Sequence, residues 1–392
     1  MSWPTARLSE CIESASSGFA SGAIDPEGVA QIRMNNVGLD GRLNFDKIRY
    51  VPKSTMKIEK FLLADDDVLF NATNSPNLVG KSALIRGLPE SFVYSNHFIR
   101  IRTNRSKLEP GFLARWLTAQ QQEGRFELMC NKWVNQASVR REDLLNLALP
   151  LPPLPEQRRI SAILDKADAL RATRREAIVK LDQLLQSLFL EMFGDPVTNP
   201  KGWPIVALSS YGTVATGNTP PRSKAENYGT GIEWIKSDNL NTPHDYVTKA
   251  DEQLSEAGER TARVVSPGSV LVTCIAGSLS CIGNLAIADR RVAFNQQINA
   301  ITPYSTPPEF LYFLLKTSKP LIQSASTNGM KGMVNKSKFS GIQLPAPPTE
   351  LQREFSRIFL KMHKHRLLAD AALVKQDALF AGLQQRAFEG TL

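Results

Sequence analysis

Six blocks of this sequence recur in the same order roughly 200 residues further along, and no other feature limits the possible folds so strongly. Gly28-Val29-Ala30-Gln31-Ile32-Arg33-Met34-Asn35-Asn36-Val37 is answered by Gly231-Ile232-Glu233-Trp234-Ile235-Lys236-Ser237-Asp238-Asn239-Leu240. Asp67 to Asn71 answers to Ser269 to Thr273, and Val79 to Ile85 to Ile282 to Ala288. Tyr94-Ser95-Asn96-His97 lines up with Ala293-Phe294-Asn295-Gln296, and Pro110-Gly111-Phe112-Leu113 with Pro308-Glu309-Phe310-Leu311. The last pair is Val134 to Ser138 with Val334 to Lys338. Between the blocks the two halves diverge, while both keep their strand and turn patterns. A shared scaffold with divergent loops is what two readers of different ligands on one fold require.

Each repeat opens with about 150 residues of short β-like runs, such as Val68-Leu69-Phe70 and Val270-Leu271-Val272, punctuated by Gly, Pro and Asn. A helical patch follows, Phe112 to Leu117 in the first copy and Phe310 to Leu315 in the second. A proline cluster, Leu149 to Pro155 or Leu344 to Pro348, then fixes an extended entry into a long helix. The first helix is expected from about Glu156 to Phe193, where Gly194-Asp195-Pro196 stops it, and the second from about Thr349 to Glu389. Apolar residues at Ile160, Leu164, Ala167, Ile178, Leu181, Leu185, Leu188 and Met192 make a narrow stripe, as do Phe355, Ile358, Met362, Ala369, Ala372, Leu379 and Leu383. At 1.5 Å per residue such helices are roughly 55–60 Å long, and a narrow stripe of that length calls for a partner helix. The expected organisation is therefore α+β. It has a first globule over 1–150, a helix over 151–194, a second globule over 195–345 and a helix over 346–392.

Composition narrows the function. The net charge of +9 favours a polyanionic partner, although the basic residues are dispersed. Cys11, Cys130, Cys274 and Cys281 lack zinc-knuckle spacing. No apolar run has the length of a membrane span, and the start lacks a secretory layout, so a cytoplasmic protein without membrane contact is expected. Gly80-Lys81-Ser82 resembles the end of a phosphate loop, but Ser75 stands where the upstream glycine belongs. Pro152-Pro153, Pro220-Pro221, Pro307-Pro308 and Pro347-Pro348 lack the context of an adenine methyltransferase tetrapeptide. Asp65-Asp66-Asp67 abuts a strand and reads as a solvated turn, and His363 and His365 fall on different faces of their helix. No catalytic, cofactor or metal residues are assigned.

The string Leu149 to Ile160, opening a long helix after a variable globule, resembles the specificity subunits of type I restriction-modification systems. So does the second globule, with Gly217-Asn218-Thr219-Pro220, Trp234-Ile235-Lys236-Ser237, Gly268 to Val272 and Asn295-Gln296-Gln297. The resemblance covers essentially the whole chain. It implies two target-recognition domains, each reading one half of a bipartite, asymmetric site in double-stranded DNA. It further implies an antiparallel coiled coil of the two helices, serving as spacer and as dock for two methyltransferase subunits. Those partners would use S-adenosylmethionine, and motor-nuclease subunits, where present, ATP and Mg; this chain itself would be non-catalytic. Two departures stand out. The second proline cluster runs into Thr349-Glu350-Leu351-Gln352 instead of Pro-Glu-Gln, and the first globule offers Ser16-Ser17-Gly18 where the second has Gly-Asn-Thr-Pro. The alternative is a standalone or modification-only DNA-binding protein.

Base-edge contacts suit Asn and Gln for adenine and Arg or Lys for guanine. Duplicated polar positions supply the candidates: Arg33, Asn35 and Asn36 against Lys236, Ser237 and Asn239; Asn71 against Thr273; Lys132 and Asn135 against Lys331 and Asn335. Thr219 joins them from the Gly-Asn-Thr-Pro element.

Overall fold

The structure is a computed structural model; it describes residues 3–54, 58–132, 136–327 and 332–392. Contacts divide the chain into two compact units, Met1–Arg175 with Ala371–Leu392, and Glu176–Asp370. This division cuts across the four segments expected from sequence, because each long helix begins in one hydrophobic core and ends in the other. Ile160 and Leu164 share a core with Phe380 and Ala387, whereas Leu185, Phe189 and Phe193 share one with Phe355 and Phe359.

The first unit holds an antiparallel sheet ordered Ile12–Ser17, Phe98–Thr103, Val68–Asn71, Ser82–Leu84. A smaller sheet sets Val29–Ile32 between Arg49–Val51, antiparallel, and Phe92–Tyr94, parallel. The second unit repeats both. Gly212–Thr216, Ile298–Pro303, Val270–Thr273 and Leu285–Ile287 form the antiparallel sheet, and Tyr228–Ile235 pairs in parallel with Val292–Phe294. Strand residues such as Val68, Leu69 and Phe70, and Val270, Leu271 and Val272, are buried on both faces, which is why they read as unbroken apolar runs. The helices Pro110–Gln122 and Pro308–Thr317 cover one face of the antiparallel sheet in their unit.

Leu154–Phe193 and Thr349–Glu389 are single helices of 40 and 41 residues, hereafter the central and C-terminal helices. In the first unit Arg159 donates to the Leu392 carbonyl, and Arg171 meets Asp377. In the second, Asp182 meets Arg366, and Phe189 packs on Phe355. In both units the contacts run in opposite directions along the two helices. Gly194, at φ +79°, ends the central helix. Among the described residues no helix is long and apolar enough to cross a membrane.

The structure shifts the alignment of one repeated block by a residue. The His97 carbonyl accepts from the Ala72 and Thr73 N–H groups, and the Gln297 carbonyl accepts from those of Cys274 and Ile275. His97 therefore corresponds to Gln297, not Gln296. Both departures noted in the sequence are local. Gln352 donates to the Pro347 carbonyl at 2.7 Å, as Gln157 does to Pro152 at 2.8 Å, so the glutamine keeps its place although its neighbours change. Gly18 and Gly217 also coincide: their N–H groups bond to the Phe98 and Ile298 carbonyls.

Candidate nucleic-acid interface

The same scaffold in each unit presents a polar edge where its parallel strand pair ends. In the first unit the strand Val29–Ile32 runs into Arg33 and a short 3-10 turn, Met34–Asn36. Asn36 is buried; its carboxamide accepts from the Arg33 N–H at 2.9 Å and donates to the Asn44 and Lys47 carbonyls. Asn239 repeats this, accepting from the Lys236 N–H and donating to Thr248 and to the Lys249 carbonyl. These two asparagines bracket the loop and leave little capacity for an outside partner.

Asn71 is fully buried, donating to the Thr73 and His97 carbonyls and accepting from Asn74. Its counterpart Thr273 is 1% exposed, and its hydroxyl has no partner among the described residues. Asn335 caps the short helix Lys336–Ser340 by accepting from the Lys338 N–H at 2.9 Å. Asn135 and Lys331 lie outside the described residues.

The remaining candidates are solvent-accessible. Arg33 and Asn35 are exposed, and Arg33 forms no ion pair among the described residues. Lys132, also exposed, lies 3.5 Å from Glu127. Burial, with Arg33 nearby, pushes the His97 imidazole below its ordinary value, so at neutral pH it presents an uncharged ring beside a cation.

In the second unit Ser237 donates to Gln297 at 3.2 Å, and Asn295 donates to the same carboxamide oxygen at 3.0 Å. Ser237, Asp238, Asn241, Thr273, Asn284 and Gln297 line a cleft of about 200 Å³. Thr219 bonds to Gln296, at a rim where Arg222 lies over Tyr228 and Trp234. Lys236 and Arg222 both bind Glu252. The Arg222 hydrogen bond, reinforced by Lys236, holds its carboxyl down at about 2 against the opposing effect of burial. The structure thus brings Ser237 and Thr273 together at one cleft, whereas Lys236 pairs with Glu252, Thr219 bonds to Gln296 and Asn335 serves a helix end. Arg222, Gln297 and His97 were missed as candidates. The duplicated Asn-containing turn signalled the last two, but sequence gave no reason to single out Arg222.

Lys81, which resembled a phosphate-loop lysine, is buried and donates to the Met34 and Val37 carbonyls at 2.7 Å each. Burial pushes its ammonium below the ordinary value. Asp66, at φ +70°, takes the place of Gly268, at φ +88°, and pairs with Arg86 and Arg105, while Asp67 pairs with Arg102. Among the described residues no group of His, Cys, Asp and Glu has a metal-binding arrangement.

A duplicated α+β globule with divergent polar edges, each copy followed by a long helix, defines a protein built from two copies of one unit. Residues 24–181 and 200–368 each match the type I restriction modification DNA specificity domain, and the chain belongs to that family. A chain of Methanocaldococcus jannaschii named for the specificity subunit of type I restriction enzyme MjaX is 25% identical over 375 residues, 91% of this chain and 85% of that one. The HindI specificity subunit of Haemophilus influenzae is 31% identical over 172 residues, 41% of this chain and 36% of its own. The crystal structure of the type I S subunit from M. genitalium shares the fold, with a TM-score of 0.62 and 14% identity over 98% of this chain and 96% of that one. The chain is thus a specificity subunit, of a family whose members recognise DNA without catalysing its modification or cleavage.

Proposed function

We propose that each globule reads one half of a bipartite, asymmetric site in double-stranded DNA and that the two helices, as an antiparallel coiled coil, set the gap between the halves. The observation that carries this reading is the pairing of a repeated loop bracket, Asn36 or Asn239, with unlike exposed or half-buried side chains beside it. Arg33, Asn35 and His97 edge one globule; Lys236, Ser237 and Gln297 edge the other. One scaffold with two chemistries gives two different half-sites.

The helices are the proposed dock for two methyltransferase subunits. Val179 and Leu184 of the central helix are 53% and 59% exposed, and at the equivalent places Val374 and Leu379 of the C-terminal helix are 69% and 58% exposed. The same apolar pair left uncovered twice fits two copies of one partner. The assembled complex would act on DNA in the cytoplasm. Its partners would supply S-adenosylmethionine for adenine methylation and, in a restricting complex, ATP and Mg for cleavage.

The test is co-expression with the neighbouring methyltransferase gene and mapping of methylated adenines by single-molecule sequencing. A two-part motif with a fixed gap, lost when this chain is omitted, is expected. Methylation that is independent of the chain would overturn the reading in favour of a standalone DNA-binding protein.

A further inference from the structure

Each globule is fastened to its own helix by a clasp, and the two clasps have opposite polarity. In the first unit the loop residue Arg42 donates to both the backbone carbonyl and the carboxylate of Asp168 on the central helix, at 3.0 Å each. Arg115 and Arg171 complete the ring around that buried carboxylate, at 3.4 and 3.1 Å. In the second unit the helix carries the cation. Arg366 of the C-terminal helix donates to the Pro243 carbonyl at 2.9 Å and to the Asp245 carboxylate at 3.5 Å. His363 lies 3.4 Å from the same buried carboxylate, Tyr312 donates to it at 2.8 Å, and Lys316 approaches to 3.4 Å.

The positions correspond. Arg42 and Asp245 follow the repeated bracket residues Asn36 and Asn239 by the same number of residues. Asp168 and His363 follow Gln157 and Gln352 by the same number, and so do Arg171 and Arg366. Duplication therefore kept one arginine of the helix, exchanged acid for imidazole beside it, and exchanged cation for acid on the loop.

We infer that the inverted clasps are addresses. The central helix accepts a recognition domain that presents a cation at the loop position, and the C-terminal helix accepts one that presents a carboxylate. Two copies of one fold on two copies of one helix would otherwise be interchangeable, within a chain or between two chains. With the inversion, a misplaced first domain sets Arg42 against His363 and Arg366 with no carboxylate between them, and a misplaced second domain sets Asp245 against Asp168 beside the kept arginine, Arg171. The first mismatch strips the carboxylate that holds the arginines together, and the second buries two carboxylates against each other, so both are disfavoured. Which domain docks on which helix then follows from the clasps. The inference concerns docking within the chain and stands whether or not the DNA reading holds.

Hydrogen exchange on the full-length chain tests it. Arg42→Asp is expected to raise exchange at residues 38–44 and 164–171 at least tenfold, leaving 240–247 protected. Adding Asp168→His, which copies the second clasp, is expected to restore protection to within about threefold. The mirror pair, Asp245→Arg with and without His363→Asp, is expected to lose and regain protection at 240–247. A merely structural role for these side chains predicts that both double variants are worse than the single ones, and that result overturns the inference. So does a single reversal that leaves exchange unchanged. If one double variant fails to fold, the other pair decides. A chain carrying a second copy of residues 205–345 in place of 5–150 tests the address itself: its docking is expected to need Asp168→His, and equal protection with either residue at 168 overturns the inference.

Discussion

The Gln157 carboxamide reaches the Pro152 carbonyl at 2.8 Å and so ties the proline cluster to the first turn of the central helix. The same fully buried side chain donates to the Lys107 carbonyl at 2.9 Å and accepts from the Glu109 N–H at 2.8 Å. It joins the start of the central helix to the Lys107 to Glu109 loop, about 50 residues earlier in the first unit. Gln157→Ala strands these backbone groups away from water and should cost about 2–4 kcal/mol, on the order of 1–3 kcal/mol for each unpaired group with partial relaxation. Urea denaturation should show the loss as a lower midpoint for the first unit.

Asp245 gives the second unit an acid limb. Burial alone would raise its pKa, but His363, Lys316, Tyr312 and Arg366 outweigh that and hold it at about 2, below the ordinary carboxylate value. A carboxyl depressed on folding contributes stability above its unfolded pKa and loses it as the pH falls towards the folded one. The window is therefore about pH 4 down to pH 2, and the contribution at neutral pH is about 2 kcal/mol. The protection factors of the amides at residues 240–247, corrected for the intrinsic pH dependence of exchange, should fall through that window in the native chain. In Asp245→Asn protection should be low already at pH 5 and change little below; an unchanged acid limb in that variant would refute the assignment.

Gly18 and Gly217 tolerate no side chain. A Cβ on Gly18 would lie 2.3 Å from the Tyr94 and Ser95 carbonyl oxygens, and one on Gly217 2.2 Å from that of Asn295. Backbone must move to admit a methyl group, at a cost of about 1–3 kcal/mol. Gly217→Ala should disorder the Asn218 to Pro221 entry and weaken reading of the second half-site, while Gly18→Ala should affect the first. Binding to DNA altered in one half at a time distinguishes them.

If the polar edges read bases, single substitutions should act on one half-site only. Arg33→Ala is expected to weaken binding through the first half by roughly 10- to 100-fold, and Gln297→Ala through the second, about 1–3 kcal/mol each. Competition binding at fixed salt measures this. Equal losses for both halves would mean phosphate contacts instead.

Four residues inserted near the middle of the central helix, about 6 Å of added length, should widen the preferred gap by one or two base pairs. Methylation mapping of the variant reads the gap directly. Binding with an unchanged gap would refute the spacer role.

Sequence by itself determined the duplication, the apolar strands, the proline entries and both long helices, since each is a local pattern: a repeated block, a buried run, a 3.6-residue stripe. It also placed Arg33, Lys236 and Ser237 at loop edges, because Asn36 and Asn239 sit in the same repeated block. Only tertiary structure decided that Asn36 and Asn71 turn their side chains inward to backbone carbonyls, and that Gln297 rather than Gln296 is the counterpart of His97. It alone brought Arg42 to Asp168 and Asp245 to Arg366, residues separated by more than a hundred positions. A polar residue in a loop looks the same in sequence whether it faces solvent or closes a bracket. What distinguishes the two is which unpaired donors and acceptors the folded chain sets beside it, and those come from segments that only folding brings together.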